Sequence, residues 1–375
     1  MSDPQFEYAS KPAPNVKSPV ISHGVSVIIP VKDRVAEMRR QLQTLQPAIA
    51  RCPEPVEIVV VDDSGPAAAA SHRANCAAVG ARYLRGPRHV GAKRNYGVRH
   101  ASHDLLFFTD SDCRVPPDLL RRYVERLRDS GPEIAAVTGP VLVAPGDNAM
   151  FRIMSRSYLL LGDLTRPLHH ERVSWGAGAN TAMKREAFLA VGGFPEDSPM
   201  PIGGEDLHLG LLLTDAGYVI LCEPDGVVTH DTGVADTLRA VAYRFTTYGR
   251  SELWLCLVHP HRRRFVFNTV SAIAVTTLAG LATARRSQGR SLLAAPLLAG
   301  AILAAKVPGR LGGQRGPGAV TDAIACAAIE SLFDVAAFAT ALRMGRPDLL
   351  FTGFRAPDEA DYQPAVPAGP APSRV

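Results

Sequence analysis

A chain of 375 residues with 46% apolar residues has material for one large or two ordinary domains, which excludes a chain that stays unfolded. Its formal net charge of +5 is small, and the cations gather late, at His261-Arg262-Arg263-Arg264, Arg285-Arg286 and Arg310. That pattern points to a membrane surface and away from nucleic acid. Six cysteines (Cys52, Cys76, Cys113, Cys222, Cys256, Cys326) stand apart with no Cys-x-x-Cys pair, so they read as reduced thiols of a cytoplasmic compartment and not as a zinc site.

Residues 1–23 are polar, contain prolines and lack an apolar core, so they read as a flexible leader and not as a signal peptide. Val25-Ser26-Val27-Ile28-Ile29-Pro30 is a β-branched run, the pattern of a buried parallel strand. The loop Val31-Lys32-Asp33-Arg34 follows, and residues 35–45 carry apolar positions at helical spacing. A second strand, 56–61, ends in Asp62-Asp63-Ser64-Gly65-Pro66, a carboxylate pair running into turn residues. An alanine-rich helix (67–79) and a short strand (81–84) complete the rhythm. Strand and helix alternating in this way mean crossover units and a mostly parallel sheet.

Residues 85–100 are rich in cations, and Gly91-Ala92-Lys93-Arg94-Asn95-Tyr96-Gly97 opens a helix. Arg94 there can meet a pyrophosphate, or belong to a solvated basic face. Leu105-Leu106-Phe107-Phe108 is a buried strand that runs into Asp110-Ser111-Asp112. Alternate residues of an extended strand end point one way, so Asp110 and Asp112 can aim at a single Mg²⁺ or Mn²⁺; the competing reading is a solvated acidic turn before Pro116. A helix (118–128), a strand (134–140) and an apolar helical stretch (150–161) come next. Trp175, Gly176, Gly178 and Asn180 then form a loop of small residues around an aromatic, which lets a backbone approach a ligand. Gly203-Gly204 leads into a helix with Glu205 and Asp206 in its first turn. The pair is either a helix cap or a general base acting on a hydroxyl.

A strand ending at Pro30, a strand ending at Asp62-Asp63, an Asp-x-Asp after a third strand and Gly-Glu-Asp some ninety residues on follow one another in one order. In that series the sequence resembles the family 2 glycosyltransferases of the GT-A fold, over roughly residues 25–248. The resemblance implies an α/β fold with a mostly parallel sheet flanked by helices, and an inverting transfer from a nucleotide-diphosphate sugar. It implies that Pro30, Lys32 and Asp33 border the base and ribose, that Asp62 or Asp63 holds the nucleoside, and that Arg94 lies near the diphosphate. Asp110 and Asp112 match the nucleotide- and metal-binding Asp-x-Asp, with Mg²⁺ or Mn²⁺ as cofactor. Trp175, Gly176 and Asn180 match the loop facing donor sugar and acceptor, and Asp206, with Glu205 beside it, matches the catalytic base. His230 resembles a strand-end histidine near the metal; a lone histidine is more often structural. Tyr243 to Arg250, with Arg250 foremost, faces the acceptor in that likeness. Nothing matches the Gln-x-x-Arg-Trp of processive synthases, so transfer of a single sugar is expected, to a lipid-linked, glycan or small-molecule hydroxyl. The nucleotide stays open between uridine and guanosine. The rival readings are a nucleotide-sugar-binding scaffold without catalysis, and a nucleotidyltransferase, which would call for a glycine-rich loop after the first strand.

The last third differs in kind. Residues 265–284 hold no charge, and twenty residues at about 1.5 Å each span a hydrocarbon core of about 30 Å. Arginines flank both ends, and the positive-inside rule places both on the cytoplasmic side, which one crossing cannot satisfy; a re-entrant or interfacial hairpin therefore competes with a span. Residues 291–305 are apolar but shorter, and 319–342 include Asp322, Glu330 and Asp334, the mark of an amphipathic or bundle-facing helix. A soluble helical cap is the alternative. The expected organisation is a leader (1–23), a GT-A domain (24–258), a helical membrane-associated region (259–355) and a disordered tail (356–375). The setting expected is a bacterial cell membrane in the cell envelope, with the catalytic domain cytoplasmic.

Overall fold

The computed structural model describes residues 21–196, 203–231 and 236–355. The tail, and the leader up to residue 20, lie outside that range; residues 22 and 23 belong to the first strand. In chain order, β1 (Ser22–Val31), α1 (Val35–Arg51), β2 (Val56–Asp62), α2 (Pro66–Ala78), β3 (Arg82–Arg85), α3 (Val90–His100) and β4 (His103–Phe108) form the first half of the α/β layer. Residues 25–31 of β1 are buried throughout, as expected for a central strand covered on both faces. β1 pairs in parallel with β2, Val31 beside Asp62, and with β4, Ile28 beside Phe108. Parallel pairing brings the carboxyl ends of all three strands out on one edge. The loops after Val31, Asp62 and Phe108 therefore meet, although Val31 and Phe108 are 77 positions apart in the chain.

The second half comprises β5 (Cys113–Arg114), α4 (Leu119–Arg128), β6 (Ile134–Thr138), β7 (Val141–Val143), α5 (Ala149–Met154), α6 (Tyr158–Leu161), β8 (Arg172–Val173), β9 (Thr181–Lys184), α7 (Arg185–Ala190), α8 (Glu205–Asp215), β10 (Val219–Cys222) and β11 (Val228–His230). Among the described residues the main sheet runs β3-β2-β1-β4-β9-β6-β10-β8. β9 lies antiparallel between β4 and β6, and β8 is an antiparallel edge, so the sheet is mixed but mostly parallel. A small second sheet, β5-β11-β7, sets His230 opposite Cys113. One core, with Leu42, Leu45, Phe107 and Tyr123, lies under α1 and α4; the other, with Ile28, Phe108, Phe188 and Leu209, lies under α3, α7 and α8. The apolar stretch 150–161 is two short helices, α5 and α6, where one was expected.

The carboxyl-terminal part is α9 (Leu238–Val258), β12 (Arg263–Phe265), α10 (Thr269–Thr283), α11 (Ala294–Leu311), α12 (Pro317–Arg343) and β13 (Thr352–Phe354). The twenty-residue span expected at 265–284 does not form. Phe265 pairs with Thr352 in the β12–β13 ladder, and Asn268 caps α10 by accepting from Ser271 N at 2.9 Å, so the helix has only 15 residues. Residues 291–305, expected to be the shorter stretch, lie in a helical run from Arg290 to Leu311; among the described residues, that run and α12 are the two helices long and apolar enough to cross a membrane by length and composition. α12 turns its carboxylates inward: Asp322 and Glu330 are buried, in keeping with the bundle-facing expectation.

Candidate active site

At the nucleoside end Pro30 is buried in β1, while Lys32 and Asp33 stand exposed in the following loop. Asp33 and Arg34 both adopt φ of 56°, a left-handed conformation that costs a residue with a side chain about 1 kcal/mol or more. Two hydrogen bonds fix it: Asp33 N donates to Ser64 Oγ at 2.6 Å, and His72 Nε2 donates to Asp33 O at 2.9 Å. Asp62 is fully buried and accepts from Ser64 N (2.7 Å), Tyr83 OH (2.7 Å) and Arg85 Nη1 (3.0 Å). Burial pushes its carboxyl up, but the donors from Ser64 and Tyr83 outweigh it and hold it below the ordinary value. Asp63 pairs with Lys93 Nζ at 2.5 Å, and the same ammonium donates to Val31 O at 3.0 Å. Lys93 thus ties the ends of β1 and β2 to α3.

β4 ends at Phe108, and residues 109–112 form a turn, so Asp110 and Asp112 do not share the one direction that an extended strand would give them. Asp110 turns to Arg94, whose Nη2 lies 2.9 Å away. The other arm of that buried guanidinium, Nη1, donates to Glu205 Oε1 at 2.8 Å, and its face covers the Phe194 ring at 5.1 Å. A single cation therefore joins the turn after β4 to the first turn of α8. Gly178 completes the arrangement: a Cβ there would sit 2.7 Å from Arg94 Cζ, so only glycine lets the loop pass. Its N–H donates to Asp206 Oδ2 at 3.2 Å. Asp206 borders a cavity of about 10 Å³ walled by Phe108, Met183 and Leu209. Burial pushes the Glu205 and Asp206 carboxyls up, and the negative charge of Asp206 raises Glu205 further, against the pull of Arg94. At Asp110 the balance is reversed: burial raises it, but Arg94 with His230 and Arg34 holds it below the ordinary value.

Asp112 is buried, is ion-paired with Arg34, and has its Oδ1 3.3 Å from His230 Nε2. His230 Nδ1 lies 2.9 Å from Asp231 O, an acceptor only, so the ring proton belongs there and the Nε2 lone pair faces the carboxylate. Burial lowers the His230 pKa in spite of Asp110. Two acceptor atoms facing each other suit a divalent cation between them. Cys113 also lies within reach, and burial pushes its thiol up.

The remaining expected residues divide. The Trp175 backbone packs on Gly210 of α8, where a Cβ would approach Trp175 Cα to 2.5 Å, and its indole N–H is buried without a hydrogen-bond partner. Gly176 lies against Thr138 and Thr181. Asn180 is spent on the scaffold: its Oδ1 accepts from Tyr123 OH at 2.7 Å, and its Nδ2 donates to Pro140 O and Gly226 O at 3.0 and 2.7 Å. Arg250 Nη2 donates to Thr247 Oγ1 at 3.1 Å, one turn back on its own helix. Arg244 of α9, not singled out from the sequence, feels the charges of Asp110 and Glu205 and donates to Tyr248 OH at 3.1 Å. Its spacing of four from Tyr248 was the available signal. Arg34, Tyr83 and Arg85 were likewise reached only through the fold.

Residues 26–192 match the family model described as Glycosyl transferase family 2. An N-acetylglucosaminyltransferase from Rhizobium meliloti (strain 1021) is 27% identical over 221 residues, covering 53% of this chain and 49% of its own. Another, from Rhizobium leguminosarum bv. viciae, is 25% identical over 178 residues, covering 44% and 40%. The chain thus spans about half the length of the curated relatives it matches, or less. Among solved structures, a mannosyltransferase from Pyrobaculum calidifontis, in complex with GDP-Man and Mn²⁺, aligns with a TM-score of 0.51 and 22% identity over 87% of this chain and 91% of its own. That likeness is one of fold and agrees with the expected GT-A architecture. Residues 26–192, the stretch that carries both carboxylate turns, Arg94 and the Trp175 loop, are thus similar to glycosyl transferase family 2, a family of sugar-transferring enzymes.

Proposed function

We propose that this protein is an inverting glycosyltransferase that moves one sugar from a nucleoside-diphosphate sugar to a hydroxyl acceptor. The observation that carries the reading is the Arg94 guanidinium held between Asp110 and Glu205, with Asp206 one residue further on. It sets a cation for a leaving diphosphate and a carboxylate for a base in the same chamber. Asp112 and His230, with Asp110 beside them, would hold the metal, and one carboxylate with one imidazole favours Mn²⁺ over the all-oxygen preference of Mg²⁺. When bound, such a cation neutralises diphosphate charge as a Lewis acid.

The chain's own residues supply the rest. Asp62, pinned by Ser64, Tyr83 and Arg85, shapes the nucleoside end, and Arg94 and Arg244 add positive charge where the diphosphate leaves. Asp206 takes the acceptor's proton as the acceptor oxygen attacks the anomeric carbon from the face opposite the nucleotide, which inverts that centre. Its carboxyl, raised by burial, is a stronger base than a solvated aspartate. Glu205, bound to Arg94, orients the cation. The loop 31–34 has no glycine, which speaks against the nucleotidyltransferase reading, and a complete base and metal set speaks against a silent scaffold.

The donor of the fold neighbour makes a guanosine nucleotide the first to test, and the apolar carboxyl-terminal helices favour a membrane setting and a lipid-linked acceptor. Thermal shift with GDP and UDP, each with Mn²⁺, reads the base: a ligand at 100 times its Kd stabilises by about 2.7 kcal/mol. Turnover should release nucleoside diphosphate. Release of pyrophosphate, or no metal-dependent shift with any nucleotide, would remove the reading.

A further inference from the structure

We propose that the protein seats on an anionic bilayer through one outer face, built by α10 and α11, and that no helix crosses the hydrocarbon. The inference rests on the membrane setting put forward above and determines its form. α11 has the reverse polarity of a water-facing helix. Leu297, Ala301, Ala304, Ala305 and Pro308 are among its exposed residues and recur at helical spacing, Leu293 continues their line, and no exposed residue of the helix carries a charge. Its cations turn inward instead: Lys306 meets Asp334 at 3.4 Å and Arg310 meets Glu330 at 2.5 Å, both on α12. Only 6% of the apolar window in residues 290–311 is buried, and Leu297 is 71% exposed. Leu278 and Leu281 extend the apolar face onto α10, and Phe265 and Phe267 lie exposed just before it. Arg285, Arg286 and Arg290 are exposed on the connection between α10 and α11, where anionic headgroups would complement them.

Three features oppose a crossing. α10 has 15 residues, about 22 Å of helix, short of the roughly 30 Å core. α12 is long enough but is bound lengthwise to the catalytic layer. Asp322 pairs with Arg152 of α5 at 2.9 Å, Cys326 packs with Val241 and Phe245, and Ala337 and Ala341 pack with Leu253. α9 is fixed in turn to the site's helix, since Trp254 and Leu255 pack with Leu211 and Ser251 Oγ accepts from Gly203 N at 2.9 Å. Carrying α12 through the bilayer would draw α9 and α8, with Glu205 and Asp206, into hydrocarbon. α11 lies antiparallel along α12, as its two ion pairs require, and so shares that constraint.

Flotation of the full-length protein with vesicles of phosphatidylglycerol and phosphatidylcholine, against phosphatidylcholine alone, tests the seat. Binding should need the anionic lipid. Leu293→Asp with Leu297→Asp should lower the bound fraction roughly tenfold or more, and Arg285→Ser with Arg286→Ser should weaken binding about fivefold per arginine. Topology is read by a membrane-impermeant maleimide on sealed membrane vesicles of one orientation, with Ala70→Cys as catalytic-domain marker and Gln288→Cys and Arg315→Cys at the two helix ends. All three should label from the same side, above the parent chain's background. Protection of Gln288→Cys or Arg315→Cys while Ala70→Cys labels overturns the one-sided seat and leaves membrane association standing. A full-length chain that floats with neither vesicle overturns both.

Discussion

At the scale of single residues the site is organised by pairing. Both arms of Arg94 are engaged: it touches Asp110, Glu205 and Phe194, and glycine at 178 makes room for it. Asp206→Asn should therefore keep donor binding but lower kcat by roughly 10²–10⁴, the usual worth of a positioned base, because the amide can still accept from Gly178 N but cannot take a proton. Unchanged kcat would move the role to Glu205. Asp112→Ala should abolish the Mn²⁺-dependent part of nucleotide binding in calorimetry with the fold intact, since it leaves only His230 and an Asp110 already bound to Arg94; wild-type Mn²⁺ dependence would refute the assignment. Asn180→Ala belongs to another class. It leaves the Gly226 carbonyl and the Tyr123 hydroxyl proton without a partner, at roughly 1–3 kcal/mol each, while Pro140 O keeps Val228 N, so its main reading should be a fall in Tm and not in donor affinity.

Among elements, α9 holds the molecule together. One side supports α8, and the other takes α12 so closely that a Cβ on Gly249 would stand 2.3 Å from Phe333 O. Glu252 on this helix accepts from Phe354 N of β13 at 2.6 Å, and burial pushes its carboxyl up from 4.5 to about 7. With the folded value above the unfolded one, the folded chain holds more protons between about pH 4.5 and 7. Its contribution is present below that window and is lost as pH rises through it. Glu252→Gln keeps an acceptor for Phe354 N without the charge. The variant should match wild type near pH 5 and exceed it near pH 8 by on the order of 1 kcal/mol, since the side chain keeps some contact with water. Parallel melting curves at the two pH values check it; a pH-independent difference would mean that the carboxyl does not titrate with folding.

For the whole molecule, the question is where the catalytic part ends. All donor-side motifs precede His259, which on sequence grounds makes a cut there attractive. The packing argues otherwise. Val241, Phe245 and Leu253, each fully buried in the full chain, would face water, and Arg152 and Arg156 would lose Asp322. We expect a chain ending at residue 258 to be less stable than the full chain by several kcal/mol, at about 1.5–3 kcal/mol per large apolar side chain uncovered, and to aggregate. Recovery of a soluble, nucleotide-binding 1–258 fragment would show that the carboxyl-terminal helices only cover the enzyme.

Much of this was fixed by local order in the chain. Buried strands read as continuous β-branched runs, and carboxylates at their ends read as ligands, because burial and strand-end chemistry act over a few residues. The alternation of strand and helix fixed the mostly parallel sheet, and the series from Pro30 to Glu205-Asp206 pointed to the family whose model matches residues 26–192. Tertiary structure decided whatever depends on two distant segments meeting. It ended β4 at Phe108 and so sent Asp110 to Arg94 and Asp112 to His230, and it brought Arg34, Tyr83 and Arg244 to the site. It also diverted Phe265 into a strand, which shortened α10, and turned the cations of α11 inward. In a helix or strand the periodicity of a sequence shows which residues share a face, but what that face meets depends on the long-range partner that offers it the most burial and the best-matched charge.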